Sequence, residues 1–348
     1  MDLDLVKQLE DFDDHRLVTF FHDSETDLNG FISIHRGNND IPAFGATRIW
    51  NYRSYNEALV DSLRLSKTMS RKAALAGLKC GGAKAVIVAE GKIKNRREFL
   101  KAYSKKVNLL GGHFITGADV GISRDDVIMM RRFSRYFVGV NVDPVKYTGL
   151  GLFYSIQACL KEVYGKESLE GKSFAIQGVG KIGGELLRLI YNHSHNIYVS
   201  DVDKLTLKRI MMKYPNVKVV DSGKIFNQKV DAFCPCALSN CLNFKTIKLL
   251  NCSVIAGGAN NQLESDGVAD VLYKRSILYA PDYVVNSGGL ISVYAEYENH
   301  GLNTQYVRKK VAGTKLMLKK ILELSRRRKL STLAISNELA GERIMRLK

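Results

Sequence analysis

The sequence predicts an α/β protein of two domains, the second a doubly wound parallel sheet, on three observations. The chain has 348 residues, which is long for one hydrophobic core and comfortable for two. Its residues are 45% hydrophobic and 25% charged, the balance of an ordinary globular chain in water. Short apolar runs alternate with segments of helical periodicity, and that alternation favours strands wound in parallel with helices over the sheet faces.

In chain order, Phe31-Ile-Ser-Ile-His35 alternates apolar and polar residues as a half-buried strand does. Ser54-Tyr-Asn-Glu57 reads as a helix start, with Ser54 as N-cap and Glu57 closing a capping box. The helix that follows turns Ala58, Leu59, Leu63 and Leu65 toward a core. Ala85-Val-Ile-Val-Ala89 is a continuous apolar run suited to a buried strand, and a helix is expected over about 96–109. The character changes near Pro144. A helix from Thr148 to Tyr164 leads to Gly165. Then Ser173-Phe-Ala-Ile-Gln177, a glycine-rich turn, a helix and Asn196-Ile-Tyr-Val-Ser200 make a strand–helix–strand unit of about 30 residues. Further buried strands are expected at Val230–Cys234, Ser253–Ala256 and Ile277–Ala280, and the chain from about 304 is helical and basic.

The net charge is +17, and the positive residues are dispersed except for Arg326, Arg327, Arg328 and Lys329. No helix-turn-helix, finger or aromatic-basic signature accompanies them, so a solvated surface is expected and a nucleic-acid partner is not. No stretch approaches the roughly 20 apolar residues of a membrane span. The opening residues carry acids and no apolar run, so neither a secretory signal nor a membrane partner is expected, and the cytoplasm is. Cys80, Cys159, Cys234, Cys236, Cys241 and Cys252 are irregularly spaced in apolar contexts and read as reduced, buried thiols. The C-x-C-x4-C spacing of the middle three matches no usual zinc site, and no metal is expected.

Gln177-Gly178-Val179-Gly180-Lys181-Ile182-Gly183 is a G-x-G-x-x-G fingerprint directly after an apolar strand and opening a helix. That context is what distinguishes a dinucleotide turn from a chance match. Gly178 permits the tight turn, Gly180 lets backbone approach a pyrophosphate, and Gly183 lets the helix pack on the strand. The helix N-terminus, opening at Lys181 and Ile182, offers N–H groups to the phosphates. Asp201 follows the second strand, where a carboxylate accepts the ribose hydroxyls and repels a 2′-phosphate, so NAD is expected over NADP. Lys204 and Lys208 lie near enough to soften that preference. The arrangement is Rossmann-like.

Lys72 and Lys84 flank Ala-Ala-Leu-Ala-Gly-Leu-Lys-Cys-Gly-Gly-Ala, and Lys84 follows a Gly-Gly-Ala turn ahead of a buried strand. A lysine held there, partly desolvated, is a usable base, although an exposed lysine is the commoner case. Collinear segments decide between them: Ala43-Phe-Gly-Ala-Thr-Arg-Ile-Trp50, Gly77-Leu-Lys-Cys-Gly-Gly-Ala-Lys84, Ile115-Thr-Gly-Ala-Asp-Val-Gly121, Gln177-Gly-Val-Gly180, Pro235-Cys-Ala-Leu238, Ile255-Ala-Gly-Gly-Ala-Asn-Asn-Gln262 and Ala280-Pro-Asp-Tyr-Val-Val-Asn-Ser-Gly-Gly289. Through them the chain, from about residue 10 to 345, resembles the leucine, phenylalanine, valine and tryptophan dehydrogenases of the glutamate dehydrogenase superfamily.

The resemblance implies a substrate domain of dimerisation type over 1–143, completed by C-terminal helices at 304–348, and a Rossmann-like NAD domain over 144–303, with a cleft that closes for hydride transfer. It implies oxidative deamination of an L-amino acid to a 2-oxo acid and ammonia, and the reverse, by a homo-oligomer (dimer or octamer). Lys72 matches the lysine that grips the substrate carboxylate, Lys84 the one that activates the attacking water, and Asp119 the acid that exchanges protons with the substrate nitrogen. A second positive charge at Lys72 would lower the pKa of Lys84 toward working pH. Thr148 matches a hydroxyl on the nicotinamide carboxamide, Asn286 a residue near nicotinamide and substrate, and Cys236, Ala237 and Asn260 further cofactor contacts. Phe44, Gly45, Gly117, Leu290 and Val293 match side-chain pocket walls, which are apolar and suit a branched-chain or an aromatic amino acid, undecided between them.

The chain departs from the pattern at Ala83, where glycine is usual, at Ala118 before the aspartate, and in a shortened loop at Asp143-Pro-Val-Lys-Tyr147. If position 83 requires positive φ, its methyl costs on the order of 1–2 kcal/mol. These departures motivate the alternative of a catalytically impaired homologue that binds a nucleotide or an amino acid.

Overall fold

The computed structural model describes residues 3–346 except 90, 92, 195, 238, 300 and 302; Leu238 of the segment starting at Pro235 lies outside them. The chain divides into two units. The first comprises Met1–Val142, Val293–Asn303 and Ala340–Lys348, the second Asp143–Ser292 and Thr304–Leu339.

In the first unit Leu3–Lys7 (α1) precedes Leu17–Asp23 (β1), Leu28–Ile34 (β2), Ala43–Phe44 (β3), Thr47–Trp50 (β4), Tyr55–Leu75 (α2), Gly81–Val88 (β5), Arg96–Asn108 (α3), Phe114–Ile115 (β6) and Arg124–Arg131 (α4). The sheet runs β1-β2-β5-β3-β6, with β4 also beside β5. The β1 and β2 strands pair antiparallel, as do β2 and β5; β3 and β4 run parallel to β5, and β6 to β3. Side chains alternate between the two faces of a strand. Ala83, Ala85 and Ile87 of β5 pack with Ile32, Ile34, Phe99, Leu100 and Tyr103 on the α3 face. Val86 packs with Phe31, Ala58, Leu59 and Leu63 on the α2 face. Burying each of the Val, Leu, Ile and Phe side chains among them contributes about 1.5–3 kcal/mol.

The α2 helix buries Ala58, Leu59, Leu63 and Leu65 as their spacing predicts. Ser54 Oγ accepts the Glu57 N–H at 3.1 Å, but the Glu57 carboxylate accepts from the Arg53 N–H, at 2.8 Å, and not from Ser54, so the reciprocal box is shifted by one residue. The β5 strand begins at Gly81, four residues before the expected run. The Gly81-Gly-Ala segment is therefore strand and not turn, and Ala83 carries no positive φ. Glycine is needed at 82 for packing: a Cβ there would stand 2.0 Å from Ser70 N on α2.

The second unit begins with Pro144–Tyr164 (α5) and continues through Ser173–Gln177 (β7), Lys181–Ile190 (α6), Asn196–Ser200 (β8), Lys204–Lys213 (α7), Lys218–Val219 (β9), Lys229–Pro235 (β10), Asn251–Ile255 (β11), Asp266–Lys274 (α8), Leu278–Tyr279 (β12) and Asp282–Val285 (α9). Gly288–Glu298 (α10) crosses the boundary between units, and Thr304–Arg328 (α11) and Thr332–Met345 (α12) close the chain. Asp143–Tyr147, expected as a loop, is instead the start of α5: the Asp143 carboxylate accepts the Val145 N–H at 3.0 Å, and Pro144 takes the first helical position. The sheet order is β12-β11-β10-β7-β8-β9, all parallel. Order reverses between β7 and β10, which sets a ligand crevice at the carboxyl ends of those two strands.

The α11 helix, expected to complete the first domain, packs against α5 within the second unit. Its apolar stripe buries Val311, Leu318, Ile321 and Leu322, and Lys315 and Lys319 pair with Glu167 at 2.5 and 2.8 Å. Only the last turns of α12 return to the first unit, where Arg343 Nη1 donates to the Ala74 carbonyl at 2.8 Å. No described helix is long and apolar enough to cross a membrane.

Candidate active site

Parity along β5 places Lys84 on the face of Val86, beneath α2. Ser33, opposite Lys84 in register, bonds Ser62 of α2 at 2.7 Å on that same face. Lys72, buried in the last turn of α2, is eleven residues beyond Asp61, close to three full turns, so both project from one side of the helix.

Asp119 reaches Lys84 through the edge of β4. The Thr47 N–H donates to Gly117 O at 3.0 Å and the Ile49 N–H to Val120 O at 2.9 Å. The segment carrying Asp119 thus lies beside β4 as an added strand. Lys84 Nζ donates to Asp119 Oδ2 at 2.5 Å, and Arg48 Nε donates to the same oxygen at 3.2 Å. Burial alone would raise the Asp119 carboxyl; the charges of Lys84 and Arg48 outweigh it and hold the group at about 2. Arg48 stands in the Ala43–Trp50 segment, but the sequence alone gives it no role. The signal that finds it is register: Arg48 lies opposite Val86, so it shares the Lys84 face.

Phe44 is fully buried with the rings of Tyr294 and Tyr297 each 5.2 Å away. A Cβ at Gly45 would stand 2.0 Å from Ala83 O, and one at Gly117 3.0 Å from Val138 O. Val293 is half-buried in the same unit.

In the second unit Gly178 takes φ +85°, and a Cβ there would collide with Ala237 Cβ at 2.6 Å. A Cβ at Gly183 would stand 1.9 Å from Gly178 O, whereas one at Gly180 would meet nothing within 4 Å. Gly180 caps α6 with no side-chain acceptor for the first-turn N–H groups of Lys181, Ile182 and Gly183, which leaves them for an anion. Cys236 N–H donates to Gln177 O at 2.8 Å, which brings the ends of β7 and β10 together. Burial pushes the Cys236 thiol up to about 12. Asp201 Oδ2 accepts the Val179 N–H at 2.9 Å, and its Oδ1 the Asp203 N–H at 3.0 Å. An uncapped helix start, open space at Gly180 and a carboxylate fixed after β8 fit a dinucleotide.

Asn286 Nδ2 donates to Asn260 Oδ1 at 2.8 Å, while its buried Oδ1 has no partner among the described residues. Thr148 Oγ1 donates to Pro144 O at 2.8 Å. Leu290 is buried in α10. The structure thus brings Lys84 to Asp119, Asn286 to Asn260 and Gly178 to Ala237. The two sets lie on separate units.

A paired lysine and aspartate on one α/β unit, with a dinucleotide turn on a second, define a two-domain α/β dehydrogenase. The Glu/Leu/Phe/Val dehydrogenase dimerisation domain matches residues 15–136, and the Glutamate/Leucine/Phenylalanine/Valine dehydrogenase domain matches 139–204 and 199–347. The L-tryptophan dehydrogenase of Nostoc punctiforme is 39% identical over 334 residues, 95% of this chain and 93% of that one. The leucine dehydrogenase of Bacillus subtilis (strain 168) is 35% identical over 352 residues, 99% of this chain and 95% of that one. The crystal structure of the Nostoc punctiforme enzyme superposes with a TM-score of 0.82 at 39% identity, covering 96% of each chain. The chain belongs to the Glu/Leu/Phe/Val dehydrogenase family and is an amino-acid dehydrogenase.

Proposed function

We propose that this protein catalyses the reversible oxidative deamination of an apolar L-amino acid, branched-chain or aromatic, to the 2-oxo acid and ammonia. Gly178–Gly183 and Asp201 would hold NAD, which when bound would supply the acceptor for the hydride that leaves the α-carbon. Thr148, Cys236, Ala237, Asn260 and Asn286 complete its site in this reading. Lys72 holds the substrate carboxylate as a fixed ammonium and so sets which hydrogen is presented. Oxidation at the α-carbon leaves an imine. The Lys84 amine takes a proton from the water that adds to the imine carbon, and Asp119 exchanges a proton with the nitrogen so that ammonia leaves. Phe44, Gly45, Gly117, Leu290 and Val293 form the apolar wall, which leaves a carboxylate side chain without a cation.

The observation that carries this reading is the 2.5 Å contact between Lys84 Nζ and Asp119 Oδ2 on the face that α2 covers. It supplies a proton path between the two groups the chemistry requires. Free thiols throughout suit a reducing cytoplasm, and the match to a dimerisation domain supports a homo-oligomer.

The test is NADH formation at alkaline pH with aliphatic and aromatic L-amino acids, wild type beside Lys84→Ala. The expected result is turnover with at least one apolar amino acid, lowered by at least about a hundredfold in the variant with NADH binding kept. Wild-type protein that binds NADH but turns over no amino acid would instead support an impaired homologue. Full activity in Lys84→Ala would end the proposed mechanism.

A further inference from the structure

We infer that Arg48 is a positioning residue for this reaction: it grips Asp119 on one side and Asp61 of α2 on the other, so that Asp119 meets Lys84 in a single geometry. This rests on the roles proposed above for Lys84 and Asp119. The contacts form a continuous chain. Arg48 Nε donates to Asp119 Oδ2 at 3.2 Å and Nη1 donates to Asp61 Oδ2 at 3.0 Å. Asp61 is itself fixed by the Tyr52 hydroxyl at 2.7 Å and by Arg64 Nη2 at 2.6 Å.

The side chains of Arg48, Asp119 and Asp61 are 22%, 20% and 12% exposed, so these pairs are partly withdrawn from water and less screened than surface ion pairs. A guanidinium suits the task because its fork spans two carboxylates at once.

The geometry has a chemical consequence. Asp119 lies on the segment after β6 that runs beside β4, outside the named strands, and its side chain can turn about its own bonds unless it is tethered. Lys84 fixes it from the sheet. Arg48, on the neighbouring strand with the same parity, fixes the same oxygen from the side. The oxygen Oδ1 stays outside these two bonds. Tethering Oδ2 twice therefore settles which oxygen exchanges a proton with Lys84 and which faces substrate. The charged groups around the carboxylate are Lys84 from β5 and Arg48 from β4, and Arg48 is backed by Asp61 and Arg64 from α2 and by Tyr52 from the loop after β4.

Arg48→Gln, Arg48→Lys and Asp61→Asn test the assignment in the full-length protein, with Lys84→Ala run alongside. In Arg48→Gln we expect kcat to fall at least about tenfold, as misplacement of a proton-transfer group does, with KM for NAD within about twofold. The acid limb of the kcat/KM profile moves to higher pH, because the coupled Lys84–Asp119 pair loses a neighbouring cation that favours its deprotonated form. Arg48→Lys recovers part of kcat. If Arg48→Gln fails to fold, Asp61→Asn, which does not touch Asp119, replaces it and lowers kcat in the same direction by a smaller factor. A folded Arg48→Gln or Asp61→Asn with wild-type kcat and pH profile, beside an inactive Lys84→Ala, overturns the inference while leaving the reaction intact. An active Lys84→Ala overturns the reading beneath it.

Discussion

Two histidines outside the site carry the most distinct electrostatic consequence at the level of single residues. The His15 and His35 rings are 4.8 Å apart, 8% and 1% exposed. His15 Nδ1 accepts the Asp13 N–H at 3.2 Å, and its Nε2 lies 3.1 Å from Leu63 O and 3.0 Å from Ser66 Oγ on α2. That set satisfies a neutral ring protonated at Nε2 and leaves no acceptor for a second proton. Burial holds His15 down to about 4; burial, with the charges of Arg36 and of His15, holds His35 down to about 3. Both folded values lie below the unfolded value of about 6.5, so the unfolded chain binds more protons in the interval between. Stability is then full above about pH 6.5 and falls as pH drops toward 4, by up to about 1.4 kcal/mol per pH unit for each ring. Asp13 bonds His35 and Lys67 and is held at about 2 against its own burial, so its contribution is lost only below the normal carboxylate range and does not mask the effect. Urea unfolding at pH 7, 6, 5 and 4.5 reads the slope, and replacing both rings by Gln should flatten it. A wild-type stability constant over that range would refute the assignment.

Among the elements, the contact of α2 with β5 matters most to the site, because one carries Lys72 and the other Lys84. It is closed by glycine: Gly82 N–H donates to Ser70 Oγ at 2.9 Å, and a Cβ at 82 would press on Ser70 N and on Met69 C at 2.6 Å. The neighbours are backbone and cannot swing aside. Gly82→Ala is expected to destabilise by about 1–3 kcal/mol and to lower kcat/KM for the amino acid beyond that loss, since Lys72 is pushed away from the Lys84 face; thermal unfolding and steady-state kinetics measure the two effects. A variant with unchanged kcat/KM would show that helix and strand do not act together. How much of this is legible in the sequence differs from element to element. The unit around Gly178 is legible because strand, turn and helix signals are local and mutually consistent. The start of β5 is misplaced because Gly-Gly is turn chemistry in isolation; its close packing on Ser70 of the preceding helix, 12 residues earlier, is a tertiary contact that no local pattern records. Arg48 stays unread for a related reason. Its partners Asp61 and Asp119 lie 13 and 71 residues away, and no local period records which strand face an arginine shares with a lysine.

At the scale of the whole chain, the least legible feature is the allegiance of the last helices, because an amphipathic stripe specifies that a helix is covered and not by what. The α11 helix has such a stripe, and it packs against α5 in the unit that carries the dinucleotide turn. This gives a prediction that separates the two possible allegiances. Leu318 is fully buried in α11, and Leu318→Ala is expected to remove about 2–5 kcal/mol through lost transfer energy and a residual cavity. NADH at about one hundred times its Kd stabilises the unit that binds it by about 2.7 kcal/mol. If α11 belongs to that unit, the calorimetric transition lowered by Leu318→Ala is the one that NADH raises, and the ligand recovers a large part of the loss. If α11 instead supported the substrate unit, the lowered transition would not respond to NADH, and the ligand-responsive one would stay at its wild-type temperature. Should both units unfold in one transition, the same comparison is made by proteolysis with and without NADH. New cleavage in Asp143–Ser292 that NADH suppresses agrees with the observed packing, and new cleavage confined to Met1–Val142 contradicts it.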